Sequence, residues 1–189
     1  MAHKEQVDFI ERTKNQFPDF FVNKKVLGIG TFDVCGTENV YFNDCEYSGL
    51  DLGPGPGVDI ICPAQDYDAP NETFDTIISC ECFEHNPYYR ETIQNAIRML
   101  KQGGLFIFTC ATTGRPVHGV AYLEDKCKKQ YTNWKTMPNV LKENWDNDYY
   151  KNLTEFDIRE CVSIENTFKE FKFEVEENHC DLYFWGIKK

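Results

Sequence analysis

Over residues 5–17, Val7, Ile10, Lys14 and Phe17 fall at helical spacing and Pro18 closes the run, so the pattern predicts an amphipathic helix. Short apolar runs follow. Lys25–Ile29 leads into a glycine turn, Tyr47–Asp51 leads into the loop GPGPG, and Val58–Ile61 and Phe74–Ser79 complete four predicted strands. The clearest helical stripe lies in NPYYRETIQNAIRMLKQGG, where Tyr89, Ile93, Ile97 and Leu100 share one face. Asn86 is placed to cap that helix, Pro87 suits its first position, and Gly103 and Gly104 stop it. Leu105–Cys110 is almost wholly apolar, as a strand buried on both faces must be. Thr154 with Asp157 three residues on matches a capping box and predicts a helix through about Phe168. The chain ends FKFEVEENHCDLYFWGIKK, two strand-like runs about a polar turn.

Strands alternating with helices predict a parallel α/β sheet, and a terminal pair joined by a short turn must be antiparallel. The fold class expected is α/β: a Rossmann-like, seven-stranded, mostly parallel sheet with a C-terminal antiparallel hairpin and helices on both faces. At 189 residues the chain has the length of one domain, 1–189. No apolar run approaches the roughly 20 residues that span a bilayer. The segment MAHKEQVDFIERTK lacks the apolar core of a secretory signal, so a cytoplasmic location is expected. The nine cysteines include no CxxC pair and read as reduced thiols; Cys80 and Cys82 form a CxC without partners to complete four ligands, and no metal site is expected.

The formal charge of −11 disfavours nucleic acid as a partner, because phosphate backbones are held by Lys and Arg. One segment departs from it. Between Arg115 and Lys151, seven Lys or Arg stand against five Asp or Glu, which suits either an anionic ligand or a solvated loop.

The stretch VLGIGTFDVCG, Val26 to Gly36, raises the question of a nucleotide-like cofactor. A strand, a turn glycine that lets the backbone approach a ligand, and an acid about twenty residues on for ribose hydroxyls make such a site. Gly30 and Asp51 supply the last two, with Asp51 at the carboxyl end of a predicted strand, beside the crevice where open α/β sheets bind ligands. Alone, this is a weak signal.

Taken with GLDLGPGPGVDI, FDTIISCECFEH, MLKQGGLFIFTCATTGRPVHG and DYYKNLTEFDI, the stretch resembles the class I S-adenosylmethionine-dependent methyltransferases, specifically the small type 11 group, over about Val26 to Ile158. The resemblance implies S-adenosylmethionine as cofactor. It places Gly30, Thr31, Phe32 and Asp33 at the methionine part, Asp51 at the ribose, Leu52 on the adenine, Ala64 and Gln65 at the base edge, and Cys80 and Glu81 beside the sulfonium. Two positions depart from the family pattern. Relatives usually carry an acid at the place of Gly28 and often a glycine at that of Phe32; Asp33 can supply the missing charge, and Phe32 can cover the methionine chain or close a tighter site.

Methyl transfer is an in-line displacement, so alignment of the acceptor and exclusion of water carry much of the catalysis, and an oxygen acceptor also needs its proton removed. His85 and His118 are the candidate bases, each with an ordinary structural role as the alternative: His85 as a cap or packing residue, His118 as a residue ordering its loop. Residues 112–153 form a candidate substrate-side segment, with Tyr122, Tyr131, Trp134, Trp145, Tyr149 and Tyr150 able to serve as a lid or as a second small core. The acceptor expected is a small or carbohydrate-like molecule, methylated on oxygen. Two other readings stand beside it: a degenerate methyltransferase fold acting as a binding subunit, supported by the altered turn, and a nicotinamide oxidoreductase, supported by Gly28-x-Gly30 and the YxxxK pairs Tyr122–Lys126 and Tyr131–Lys135.

Overall fold

The computed structural model describes residues 3–33, 36–118 and 149–189. Helix α1 (Lys4–Gln16) precedes strands β1 (Lys25–Ile29), β2 (Glu46–Asp51), β3 (Ile60–Ile61) and β4 (Phe74–Cys80). Helix α2 (Tyr89–Met99) leads directly into β5 (Leu100–Ala111), and after short helices α3 (Glu155–Cys161) and α4 (Ile164–Thr167) the chain closes with β6 (Phe168–Glu176) and β7 (Asp181–Lys188). The strands form one seven-stranded sheet in the order β3-β2-β1-β4-β5-β7-β6. β1 to β5 run parallel, and β7 enters antiparallel beside β5.

Both faces of the sheet are covered, which explains why its central strands are apolar throughout instead of alternating. Phe9 and Ile10 of α1 pack on one face with Val26, Ile78, Leu105, Ile107 and Tyr183. On the other, Ile93, Ala96 and Met99 of α2 and Ile158 of α3 meet Leu27, Ile29, Ile77, Phe106, Phe108 and Phe184. Odd and even positions of each strand thus feed two separate cores. No helix among the described residues is long and apolar enough to cross a membrane, and the seven described cysteines are free thiols.

Several boundaries differ from the sequence pattern. α2 begins at Tyr89, and Asn86 does not cap it: Asn86 Oδ1 accepts from Tyr88 N and its amide donates to Thr92 Oγ1, shaping the turn before the helix. The helix ends before the two glycines, because residues from Leu100 onward already pair with β4; Gly103, at φ +75°, belongs to the strand. The Thr154–Asp157 capping box is present in full, but α3 stops at Cys161. Val162 and Ser163 are extended, and Phe168 is drawn into β6, where its ring lies against Phe184. The predicted third strand shrinks to two residues. Between β1 and β2 the described residues hold only a 3-10 turn, Glu38–Tyr41, where a parallel crossover commonly carries an α-helix.

Candidate active site

β1, β2, β4 and β5 end along one edge of the sheet, with Ile29 level with Leu50 and Ser79, and Cys80 with Thr109. Gly30 follows β1 at φ +76°, and its N–H donates to Leu50 O at 2.9 Å. A β-carbon there would lie 2.6 Å from Cys82 Cβ and Sγ, so the turn requires glycine for both conformation and space. Thr31 is buried and its hydroxyl donates to Gly57 O at 2.8 Å. Asp33 N donates to Pro56 O at 2.9 Å, and Asp33 Oδ1 accepts from Gly36 N at 2.7 Å. The Phe32 ring packs against Gly55, where a β-carbon would come within 2.0 Å of Cε2. The GPGPG loop is therefore stitched onto the glycine turn at three places.

Asp51 ties the two together. Its Oδ2 accepts from Phe32 N at 2.9 Å and its Oδ1 from Leu52 N at 2.7 Å. Burial raises its pKa against the pull of these two N–H groups. Each carboxylate oxygen retains acceptor capacity beyond its backbone partner, and Leu52 follows at the start of the loop.

The structure accounts for glycine at position 28. A β-carbon there would meet Tyr47 Oη at 2.1 Å and the Thr31 methyl at 2.5 Å, so no acidic side chain fits. A buried acid arrives from elsewhere: Glu38, in the 3-10 turn, is 3% exposed and lies within hydrogen-bonding reach of the Cys80 thiol, its pKa raised by burial. Gly28→Ala is expected to cost about 1 to 3 kcal/mol through overpacking. A urea titration reads this as a lower midpoint at constant slope; an unchanged midpoint would mean that Tyr47 yields freely.

Ala64 and Gln65 follow β3, where α2 holds the chain. Asn95 Nδ2 donates to Ala64 O at 2.8 Å and to Tyr67 O at 2.9 Å, and Arg98 donates to Ala69 O at 2.7 Å. Gln65 Oε1 is buried without a hydrogen-bond partner. Cys80 and Glu81 stand at the end of β4, level with the turn, but their side chains enter the α1 side of the sheet. Glu81 Oε1 accepts from Gln6 and Thr109, both at 3.1 Å, and Arg115 lies 3.9 Å from Oε2. Burial, reinforced by Asp181, pushes the Glu81 carboxyl up to about 7 against the pull of Arg115. Its backbone is in the left-handed region, φ 53°, a strained state common where a chain turns at a site.

The two candidate bases, separated by more than thirty residues, are brought together. The His85 and His118 rings are 5.1 Å apart edge-on, and Tyr150 packs edge-on to both, at 5.3 and 5.1 Å. Burial pushes the His85 pKa down to about 3, with the His118 and Arg115 charges acting in the same direction. Burial lowers that of His118 as well. Both imidazoles are neutral at pH 7. Lys151 N donates to Glu84 O and Leu153 N to Ala111 O, both at 2.9 Å, which seats Tyr150 against the pair. Tyr122, Tyr131, Trp134 and Trp145 of the expected lid lie outside the described residues.

Sequence reasoning missed Glu38 and Glu84. Each is a polar side chain in an irregular segment, and nothing in the local pattern distinguishes a buried one from a solvated one.

The profile of methyltransferase domain family 23 matches residues 1–178. No curated protein matches the chain. Among solved structures, it is similar to 1,6-didemethyltoxoflavin-N1-methyltransferase from Burkholderia thailandensis, solved with 1,6-didemethyltoxoflavin and S-adenosylhomocysteine, at 14% identity and a TM-score of 0.58 over 100% of this chain and 92% of that one. The YcgJ protein of Bacillus subtilis is 13% identical with a TM-score of 0.61, covering 99% of both chains. Phosphoethanolamine N-methyltransferase 2 of Haemonchus contortus, in complex with phosphomonomethylethanolamine and S-adenosylhomocysteine, is 13% identical with a TM-score of 0.59 over 95% of this chain and 52% of that one.

Proposed function

The chain belongs to this methyltransferase domain family and is an S-adenosylmethionine-dependent methyltransferase of class I fold, and from that premise we propose that it methylates a hydroxyl of a small or carbohydrate-like acceptor held beside His85 and His118. The observation that carries this reading is the pairing of two neutral imidazoles under Tyr150 at the carboxyl ends of β4 and β5. A neutral imidazole can accept a hydroxyl proton, and an aromatic face suits a ring or sugar. The two histidines are not equivalent. His118, less buried, takes the proton; His85, whose pKa is far below the working pH, orients the acceptor.

In this reading the cofactor lies along the stitched crevice, its methionine part over Gly30, Thr31, Phe32 and Asp33. Asp51 receives the ribose hydroxyls on its remaining lone pairs, and Leu52 packs on the adenine. Ala64 and Gln65 lie at the base edge, where the unpartnered Gln65 Oε1 suits an exocyclic amine. Cys80 and Glu81 contribute backbone beside the sulfonium, since their side chains are committed elsewhere. The nicotinamide reading finds no support in the matched family.

Incubation with methyl-labelled S-adenosylmethionine and a panel of sugars, nucleotide sugars, phenols, amines, proteins and RNA tests the acceptor class. Label in a small hydroxyl compound is the expected result. Label in nitrogen, the reaction named for two of the similar structures, or in a macromolecule would overturn it.

A further inference from the structure

Beside His85 and His118 lies a third group to which neither the fold nor the methyl transfer gives a task. Glu84 is fully buried, and among the described residues no side chain hydrogen-bonds its carboxyl, which faces only the backbone N–H groups of Glu84 and Ala111. Burying an acid with no side-chain partner is expensive, and such a group points to a ligand. One oxygen of Glu84 and one ring nitrogen from each of His85 and His118 all lie within 4.8 Å of one another. The His118 ring is oriented by its own loop: Nδ1 faces Pro116 O at 3.0 Å. A carbonyl only accepts, so Nδ1 carries the proton and Nε2 presents its lone pair, the arrangement by which proteins fix metal-binding imidazoles. Arg115, whose charge acts on both rings, is itself held by His179 O at 2.6 Å and Asp181 at 3.3 Å.

We infer that Glu84, His85 and His118 form a binding site for a divalent first-row transition cation on the acceptor side of the crevice. Two imidazoles and one carboxyl group, whose proton the cation displaces, form a donor set for zinc, manganese or iron with coordination positions left open, whereas magnesium prefers oxygen donors and water. This rests on the acceptor-side reading above and deepens it. A cation there takes over the task given above to His118, whose Nε2 lone pair it occupies: it holds an acceptor oxygen by coordination and makes its hydroxyl more acidic, the proton passing to solvent. It therefore selects acceptors that offer a coordinating oxygen.

Manganese is the probe of choice because thiols, which are numerous in this chain, compete for zinc. The full chain, stripped with chelator and desalted, is titrated with MnCl₂ alone while electron paramagnetic resonance counts the free ion. The expected result is saturation near one Mn²⁺ per chain, with Glu84→Gln and His118→Ala weakening binding by about tenfold or more. Absence of saturable binding, or variants that bind as the parent does, would overturn the inference. Should Glu84→Gln fail to fold by circular dichroism, His118→Ala, on the loop after β5, carries the comparison. S-adenosylhomocysteine is titrated calorimetrically into the same samples. Its binding without manganese binding overturns the metal site and leaves the methyltransferase reading intact, whereas manganese binding without it supports the site and counts against the proposed cofactor crevice.

Discussion

His85→Ala and His118→Ala are each expected to slow methyl transfer by about 10²-fold or more, with S-adenosylhomocysteine affinity nearly unchanged. The two rings stand 5.1 Å apart and share Tyr150, so one bound group can reach both. The histidines follow β4 and β5, whereas the glycine turn and Asp51 belong to β1 and β2, which is why cofactor binding should survive their loss. Truncating His85 also opens a cavity beneath Tyr150, and the larger effect on acceptor KM is expected there. His118→Ala should act mainly on kcat. Initial rates with labelled cofactor, set beside a calorimetric titration of the same variants, separate these outcomes. Unchanged rates in both variants would remove the histidine pair from the reaction.

Asp51→Ala is expected to weaken S-adenosylhomocysteine binding by about 10- to 100-fold, equivalent to about 1 to 3 kcal/mol. Two losses combine. The ribose loses a carboxylate partner, and the N–H groups of Phe32 and Leu52 lose the acceptors that now hold them at 2.9 and 2.7 Å. Asp51→Asn separates the two. Its carbonyl oxygen can still accept from one backbone N–H but cannot serve two hydroxyls in the way a carboxylate does, so an intermediate affinity is expected. Equal affinity for the parent and both variants would exclude the ribose role.

The sheet was legible in the sequence because its strands are short apolar runs with both faces covered, a pattern that survives without knowledge of the partners. Seven strands and the terminal hairpin follow from it. The helix after Thr154 was misjudged in extent, for a reason outside the segment: pairing with β7 and the contact of Phe168 with Phe184 draw the residues from Phe168 onward into a strand, overriding a local capping box that is itself present. The glycine turn and Asp51 were legible because a turn glycine and a strand-end acid leave sequence signatures. Glu84 was not. In ECFEH an acid between an aromatic residue and a histidine looks like a surface loop, and its burial depends on β5 and on the chain from Tyr149 to Leu153 closing over it. Gly28 had stood out only as a departure, and its cause is a tyrosine from the neighbouring strand.

The stitching of the GPGPG loop to the glycine turn has a thermodynamic consequence. Thr31, Phe32 and Asp33 are already bonded to Gly57, Asp51 and Pro56 in the chain alone. A ligand entering there need not order its own walls, and ordering a backbone residue costs roughly 1 to 2 kcal/mol. That entropy is lost during folding instead of during association, so the glycines that permit the close contacts make the folded chain harder to form and the cofactor easier to hold.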